Sequence, residues 1–499
     1  MIIFETLVKN CEADLRGGQA QNVGRRLAKI NTAKIPREFR LPLANICRRA
    51  GLYSIGMAIL SKLVNEERNF KTAEQASPAE FAEYAVLLLR SGAAGEALER
   101  LEKIDGNVVP EAILFRAFAH FSLWQFEEAI PRLEDYLRSS VTGYQRLVGR
   151  VNLAYAFVAC GKLDLAFPLL EENIREAAQG MHSRLESNCL ALRAQANLQT
   201  ESYHAARADL DAAYDLLGSA PTVDRFFIVR WRLTLEALES KTLAPIEELR
   251  KLAREHRDWD ALRSADLYAL KIEFQEGRFK HLLFGTPFPS YRRHIVRELG
   301  RFPNQPTYVL GLKAAPRMNL LNGKINSDTG LKPGRKCHQL IDVLLRDFYR
   351  PLRIGGLFAE LFPGEHYNVA SSPNRVHQLL RRTRRWIEAG KIPIEINEAS
   401  GFYSLKITGD FSFAIPYERE QVDCMSVQFK KLKAAFGDNT EFTVTEAREC
   451  IGVSKRTMQR LITWALENDR CERVGEATYA AKYRVKSVIA FTPSLQIAA

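Results

Sequence analysis

A chain of 499 residues, 46% hydrophobic and 26% charged, has the make-up of a folded protein and the length of about three domains. No stretch of about 18 uncharged apolar residues occurs, which excludes a membrane-spanning helix. The opening Met1-Ile2-Ile3-Phe4-Glu5 lacks the basic start and apolar continuity of a secretory signal, so a cytoplasmic protein is expected.

The net charge of +12 is unevenly spread. Residues 1–300 hold 41 Lys+Arg against 39 Asp+Glu, and residues 301–499 hold 30 against 20. Within the latter, 301–417 has 17 against 9, whereas 418–499 has 13 against 11. A basic module joined to a near-neutral one points to a polyanion such as nucleic acid. An anionic membrane surface would call for a basic amphipathic anchor, and none stands out.

From about residue 40 to 215, helical patterns follow one another with a recurring grammar. A small residue is followed twelve positions later by another, and four further on by a large apolar one. The sets are Ala44/Gly56/Leu60, Ala85/Ala97/Leu101, Ala117/Ala129/Leu133, Ala154/Ala166/Leu170 and Ala194/Ala206/Leu210. Tyr53, Phe126, Leu163 and Tyr203 stand three before the second small residue in four of them. Two helices approach closely only where both carry small side chains, and twelve residues span one helix, a tight turn and the start of the next. The grammar resembles tetratricopeptide repeats, whose period is ~34 residues, although the family's Trp and Pro positions are absent. It fades after 215, with Tyr268 to Phe284 read as a last degenerate hairpin. The resemblance implies a helical-repeat domain over 1–300 with a concave surface for a protein or peptide partner, or for self-association.

Arg301-Phe302-Pro303-Asn304-Gln305-Pro306 reads as a linker. Strands are expected at 308–310 and 318–321, the latter turning at Asn322-Gly323 through a type I′ hairpin into 324–326. Helices are expected over 337–348 and 354–362. A third is capped and opened by Ser372-Pro373, with Val376, Leu380, Thr383 and Ile387 inward. Between 371 and 386 there are five arginines and no acid. A hairpin of 392–396 and 403–407 around Glu398-Ala399-Ser400-Gly401 follows.

Strands, three helices and a terminal hairpin in this order, with Val376…Leu380-Arg381-Arg382…Arg384 and Gly401-Phe402-Tyr403, resemble the OmpR/PhoB-type winged helix. The resemblance implies an α+β DNA-binding domain over 305–417 whose third helix enters the major groove. Arginine suits guanine and phosphate bidentately. The DNA-contacting candidates are Asn374, Arg375, Gln378, Arg381, Arg382, Arg384 and Arg385. An arginine face that is merely solvated is the plainer alternative.

In 418–490 a second helix-turn-helix is expected. Thr445 would cap one helix, Gly452 make the turn and Ser454 cap the next, with Met458, Ile462 and Ala465 or Leu466 inward. Lys455, Arg456, Gln459 and Arg460 would face DNA, with Thr463 beside them. Arg473-Val474 and Tyr483-Arg484-Val485, flanking Gly475-Glu476-Ala477, would form a wing. The arrangement resembles DeoR- and MarR-type winged helices, which implies DNA contact; a protein-docking role is the alternative.

The eight cysteines are never spaced C-x-x-C and suit reduced core thiols. Cys337-His338 reads as a buried helix pair rather than a zinc hint. Gly330-Leu-Lys-Pro-Gly334-Arg-Lys336 misses the phosphate-loop spacing, and no nucleophile or carboxylate motif appears. Hence no catalytic residue, metal or cofactor is expected. The sequence thus describes a mainly α protein with two winged helix-turn-helix domains. It would be a bacterial, nucleoid-associated transcription regulator binding double-stranded DNA, with homo-oligomerisation left open. An interaction scaffold whose winged helices dock protein is the rival.

Overall fold

The computed structural model describes residues 2–16, 19–28, 30–64, 76–218, 222–326, 330–417, 424–437, 440–474 and 481–486. The chain divides into two compact units, one of residues 1–305 with 343–408 and one of 306–342 with 409–499. The span 305–417 therefore contributes to both.

The first unit is built from paired helices. These are α1/α2 (Ile2–Arg16, Ala20–Leu27), α3/α4 (Arg37–Arg49, Tyr53–Val64), α5/α6 (Pro78–Arg90, Ala94–Glu102) and α7/α8 (Pro110–Ser122, Phe126–Arg138). They continue as α9/α10 (Gly143–Cys160, Leu163–Gln179), α11/α12 (Ser183–Gln199, Tyr203–Leu217), α13/α14 (Thr222–Ser240, Ala244–His256) and α15/α16 (Trp259–Ile272, Glu276–Phe284). Helix α17 (Pro289–Leu299) closes the series. Every residue of the five small/small/large sets is buried, at the seam where paired helices meet. Tyr53, Phe126, Leu163 and Tyr203 open the second helix of their pairs. The N-terminal domain is a helical repeat.

The repeat also extends beyond the stretch where its grammar is easy to see. Cys11, Val23 and Leu27 keep the same two spacings, and so do Ala237, Leu249 and Ala253; all six are buried. In the second case the large residue has moved into the middle position, so the seam is filled by a different partition of the same volume. Enlarging a seam residue should show the constraint. Ala154→Leu, at a fully buried position, is expected to lower stability by about 1–3 kcal/mol, read from the urea midpoint.

Residues 343–408 belong to this same unit. They include strand β3 (Leu352–Arg353), α19 (Ile354–Leu361), α20 (Ser372–Ala389), β4 (Ile394–Ala399) and β5 (Phe402–Ile407). β5 lies between β3 and β4, antiparallel to both, and β4 turns into β5 at Ser400-Gly401. The segment packs on the repeats at two places. At α5/α6, the Tyr84 hydroxyl donates to the Tyr367 carbonyl at 3.2 Å, and the Tyr367 N–H donates to Glu96 at 3.0 Å. Gly356 there lies against Gly92, and a Cβ on Gly356 would stand 3.3 Å from the Gly92 carbonyl oxygen. At α14–α16, fully buried Arg263 pairs with Asp347 and Asp260, each at 2.6 Å, and is ringed by Phe288, Tyr291 and Tyr349. The Tyr349 hydroxyl donates to Asp266 at 2.5 Å, and Arg257 donates to Ser400 at 3.0 Å.

In the second unit, β1 (Thr307–Gly311) and β2 (Arg317–Asn319) flank β6 (Ser412–Pro416), antiparallel and parallel respectively. Helix α18 (Lys336–Leu344) crosses from this unit into the other. The rest is α21 (Cys424–Phe436), β7 (Glu441–Thr443), α22 (Val444–Ile451), α23 (Lys455–Glu467), β8 (Cys471–Val474) and β9 (Lys482–Val485). Here too the last strand is central, with β7 and β8 antiparallel to it. Phe429, Leu432, Phe442, Met458 and Leu461 anchor its core.

Several local expectations are corrected. The hairpin at Asn322-Gly323 shrinks to one bridge between Met318 and Ile325, because Asn322 does not take the positive φ that a type I′ turn needs and β2 pairs with β6 instead. The helix expected over 337–348 stops at Leu344. Beyond it the Asp347 carboxylate accepts the N–H groups of Tyr349 and Arg350, an Asx turn that competes with further helix. Ser372 lies inside α20, its hydroxyl accepting the Asn368 N–H at 2.9 Å. Thr443, not Thr445, caps α22, in a reciprocal box with Glu446.

Among the described residues, Cys11, Cys47, Cys189 and Cys471 are buried free thiols and Cys450 is exposed. His338 is buried, its Nε2 2.8 Å from the Leu320 carbonyl, and burial pushes its pKa down. No helix among the described residues is long and apolar enough to cross a membrane, and none of their His, Cys, Asp and Glu side chains group as a metal site would.

Candidate nucleic-acid interface

Helix α20 opens with Pro373 in its first turn, where the missing N–H costs nothing. Val376, Leu379, Leu380, Thr383 and Ile387 are buried. Thr383 is tolerated there because its hydroxyl donates to the Leu379 carbonyl at 3.0 Å, satisfying the only polar atom of the stripe. The opposite face carries Asn374, Gln378, Arg381, Arg382 and Arg385, all exposed. Among the described residues no ion pair or hydrogen bond engages the side chains of Arg381, Arg382 or Arg385. Asn374, His377, Arg381, Arg384 and Arg385 line an open groove of about 560 Å³ that Glu388 closes at one end.

Two of the seven candidates on this helix are already engaged. Arg375 is ion-paired with Glu365, with one contact at 3.0 Å, and its guanidinium lies 4.0 Å from the Phe362 ring centroid. Arg384 is half-buried and donates to the Ile396 carbonyl at 2.9 Å, tying α20 to β4. His377, three residues from Asn374 and so on the same stripe, was legible by spacing but is missing from the expected set.

Helix α23 begins after Gly452, which takes the left-handed conformation (φ +67°) that the tight turn requires. The Ser454 hydroxyl accepts the Thr457 N–H at 3.1 Å. Met458, Leu461, Ile462 and Ala465 are buried, whereas Leu466 is exposed. Lys455, Arg456, Gln459 and Arg460 are all exposed, without a side-chain partner among the described residues. The last three line a groove of about 390 Å³ with Thr463, Glu467, Trp464 and Met425. The wing tip Gly475-Glu476-Ala477 lies outside the described residues; its flanking strands are β8 and β9.

The two regions thus repeat one arrangement: helix, strand, helix, helix and a two-stranded hairpin, with the last strand central in each sheet. They differ in the connection before the outward-facing helix. Between α22 and α23 it is a tight turn, whereas between α19 and α20 it is the loop 362–371, which carries Tyr367 onto α5/α6. A face on which Arg381, Arg382 and Arg385 have no partner among the described residues is what a phosphate backbone or base edges would engage.

No family model matches the chain, and no curated protein matches it. Among solved structures it is similar over 60% of its length to a tetratricopeptide repeat protein from Parabacteroides merdae ATCC 43184, at 13% identity and a TM-score of 0.34, with 99% of that chain covered. It is also similar over 60% to Rap protein complexed with Competence and Sporulation Factor, at 13% identity and a TM-score of 0.38, with 94% covered.

Proposed function

We propose that the protein is a sequence-specific DNA-binding regulator of transcription, with two winged-helix modules on duplex DNA and a protein or peptide partner on the helical repeats. The observation that carries this reading is the row Arg381, Arg382 and Arg385, exposed on one helix face and engaged in no ion pair among the described residues. The repeated helix–strand–helix–helix–hairpin order supports the winged-helix assignment of both modules, and the repeat architecture supports a partner-binding role for the first three hundred residues. The reading needs no cofactor and assigns no catalytic residue, and it places the protein at the nucleoid.

Salt dependence tests it. Arg381, Arg382, Arg385, Lys455, Arg456 and Arg460 offer six exposed cations to phosphates. If all engage, log Kd should change with log salt by about 5 per decade, and affinity should fall roughly a thousandfold between 50 and 200 mM salt. Fluorescence anisotropy on a labelled duplex measures this, and salt-independent binding would reject the reading.

A second reading has one observation in its favour: the loop 362–371 and the hairpin tip at Ser400 already hold protein surface, that of the repeats. On that view the protein is a scaffold and its modules dock protein. It predicts no duplex binding at any salt concentration.

A further inference from the structure

We propose that the two outward-facing helices divide the work, α23 selecting sequence and α20 gripping phosphates, so that one chain recognises one asymmetric duplex site. The inference rests on the DNA-binding reading above.

The argument starts from a shared register. Val376, Leu379, Leu380 and Thr383 of α20 stand in the same order and spacing as Met458, Leu461, Ile462 and Ala465 of α23, and all are buried. With the inner faces matched, outer positions correspond as Asn374 to Arg456, His377 to Gln459, Gln378 to Arg460, Arg381 to Thr463 and Arg385 to Glu467. Equivalent members of the pairs Asn374/Arg456, His377/Gln459, Arg381/Thr463 and Arg385/Glu467 line both grooves.

The charge, however, sits at opposite ends. On α23, Lys455, Arg456 and Arg460 crowd the first turns with Gln459, and the helix then gives way to Thr463, Leu466 and Glu467. On α20 the first turns offer Asn374, His377 and Gln378, because Arg375 is held by Glu365; free cations begin only at Arg381. In a helix-turn-helix the first turns of the second helix reach base edges. Gln459 has the amide that pairs bidentately with adenine, and Arg460 the fork that pairs with guanine. The later-turn arginines of α20 suit phosphates, which carry no sequence information. Two unlike reading heads on one chain give a site without two-fold symmetry.

The test uses the full-length chain and two labelled duplexes: one that it selects from a randomised pool, and a scrambled duplex of the same composition. Anisotropy across a salt series gives the preference between them and the salt slope. Gln459→Ala with Arg460→Ala should cut the preference about tenfold or more while changing the slope by no more than about one. Arg460→Lys keeps the charge but not the fork, so it should lose part of the preference at an unchanged slope; this exposed change also guards against an unfolded double variant. Arg381→Gln, Arg382→Gln and Arg385→Gln together should weaken both duplexes by a similar factor and flatten the slope by about three. An unchanged preference in both α23 variants, a preference lost in the α20 variant, or a selected site with two-fold symmetry would each overturn the division. A parent chain that binds neither duplex would instead remove the DNA-binding reading, and the division with it.

Discussion

Replacing Arg381, Arg382 and Arg385 together with glutamine is expected to weaken duplex binding by the full-length chain by roughly two to four orders of magnitude. A charge-assisted contact to phosphate is worth on the order of 1–2 kcal/mol net, and three are removed at once. The fold should not respond, because all three side chains are exposed and the helix is held by Val376, Leu379, Leu380, Thr383 and Ile387 on its other side. Glutamine also has nearly the helix propensity of arginine. Circular dichroism should therefore be unchanged while the binding isotherm shifts. Affinity within threefold of the parent would show that this face does not meet DNA.

Asp347→Ala should have the largest effect on stability. Arg263 is fully buried, and its guanidinium keeps its charge through Asp347 and Asp260. Burial works against that charge, but the two carboxylates outweigh it and push the pKa up. Asp260 is half exposed, so Asp347 is the main buried counter-charge, and it also closes the turn after α18. Its loss strands a guanidinium among Phe288, Tyr291 and Tyr349, at a cost of about 3–5 kcal/mol. Calorimetry should show unfolding several degrees lower, whereas replacing the exposed Glu449 should be nearly silent. A transition unmoved by Asp347→Ala would mean that this pairing does not hold residues 343–408 to the repeats.

The repeat was legible in the sequence because seam geometry tolerates little: Ala85, Ala97, Ala117 and Ala129 are small where two helices touch. Its first and seventh pairs were not, since Cys11 and Val23 replace the small residues in one and Leu249 and Ala253 exchange sizes in the other. The two outward-facing helices were legible for a similar reason, their buried and exposed stripes following a simple period. What escaped was everything set by distant residues. Nothing local to Asn322-Gly323 announces that β6 will claim β2, and nothing near Asp347 announces Arg263. Arg375 looked free because its partner Glu365 lies in a loop rather than on the helix. Tyr367, which holds that loop to Tyr84 and Glu96, has no sequence motif at all.

The strand arrangement of the second unit bears on how the protein is made. β1 and β2 leave the ribosome well before their common partner, Ser412–Pro416, which is translated only after the whole of 343–408. At ordinary elongation rates both strands wait on the order of 5–20 s with unsatisfied edges, while the intervening segment settles on the helices already synthesised. Nascent chains stalled before residue 412 should thus be the ones most prone to associate with one another, and a slow step in refolding should track the arrival of that single strand.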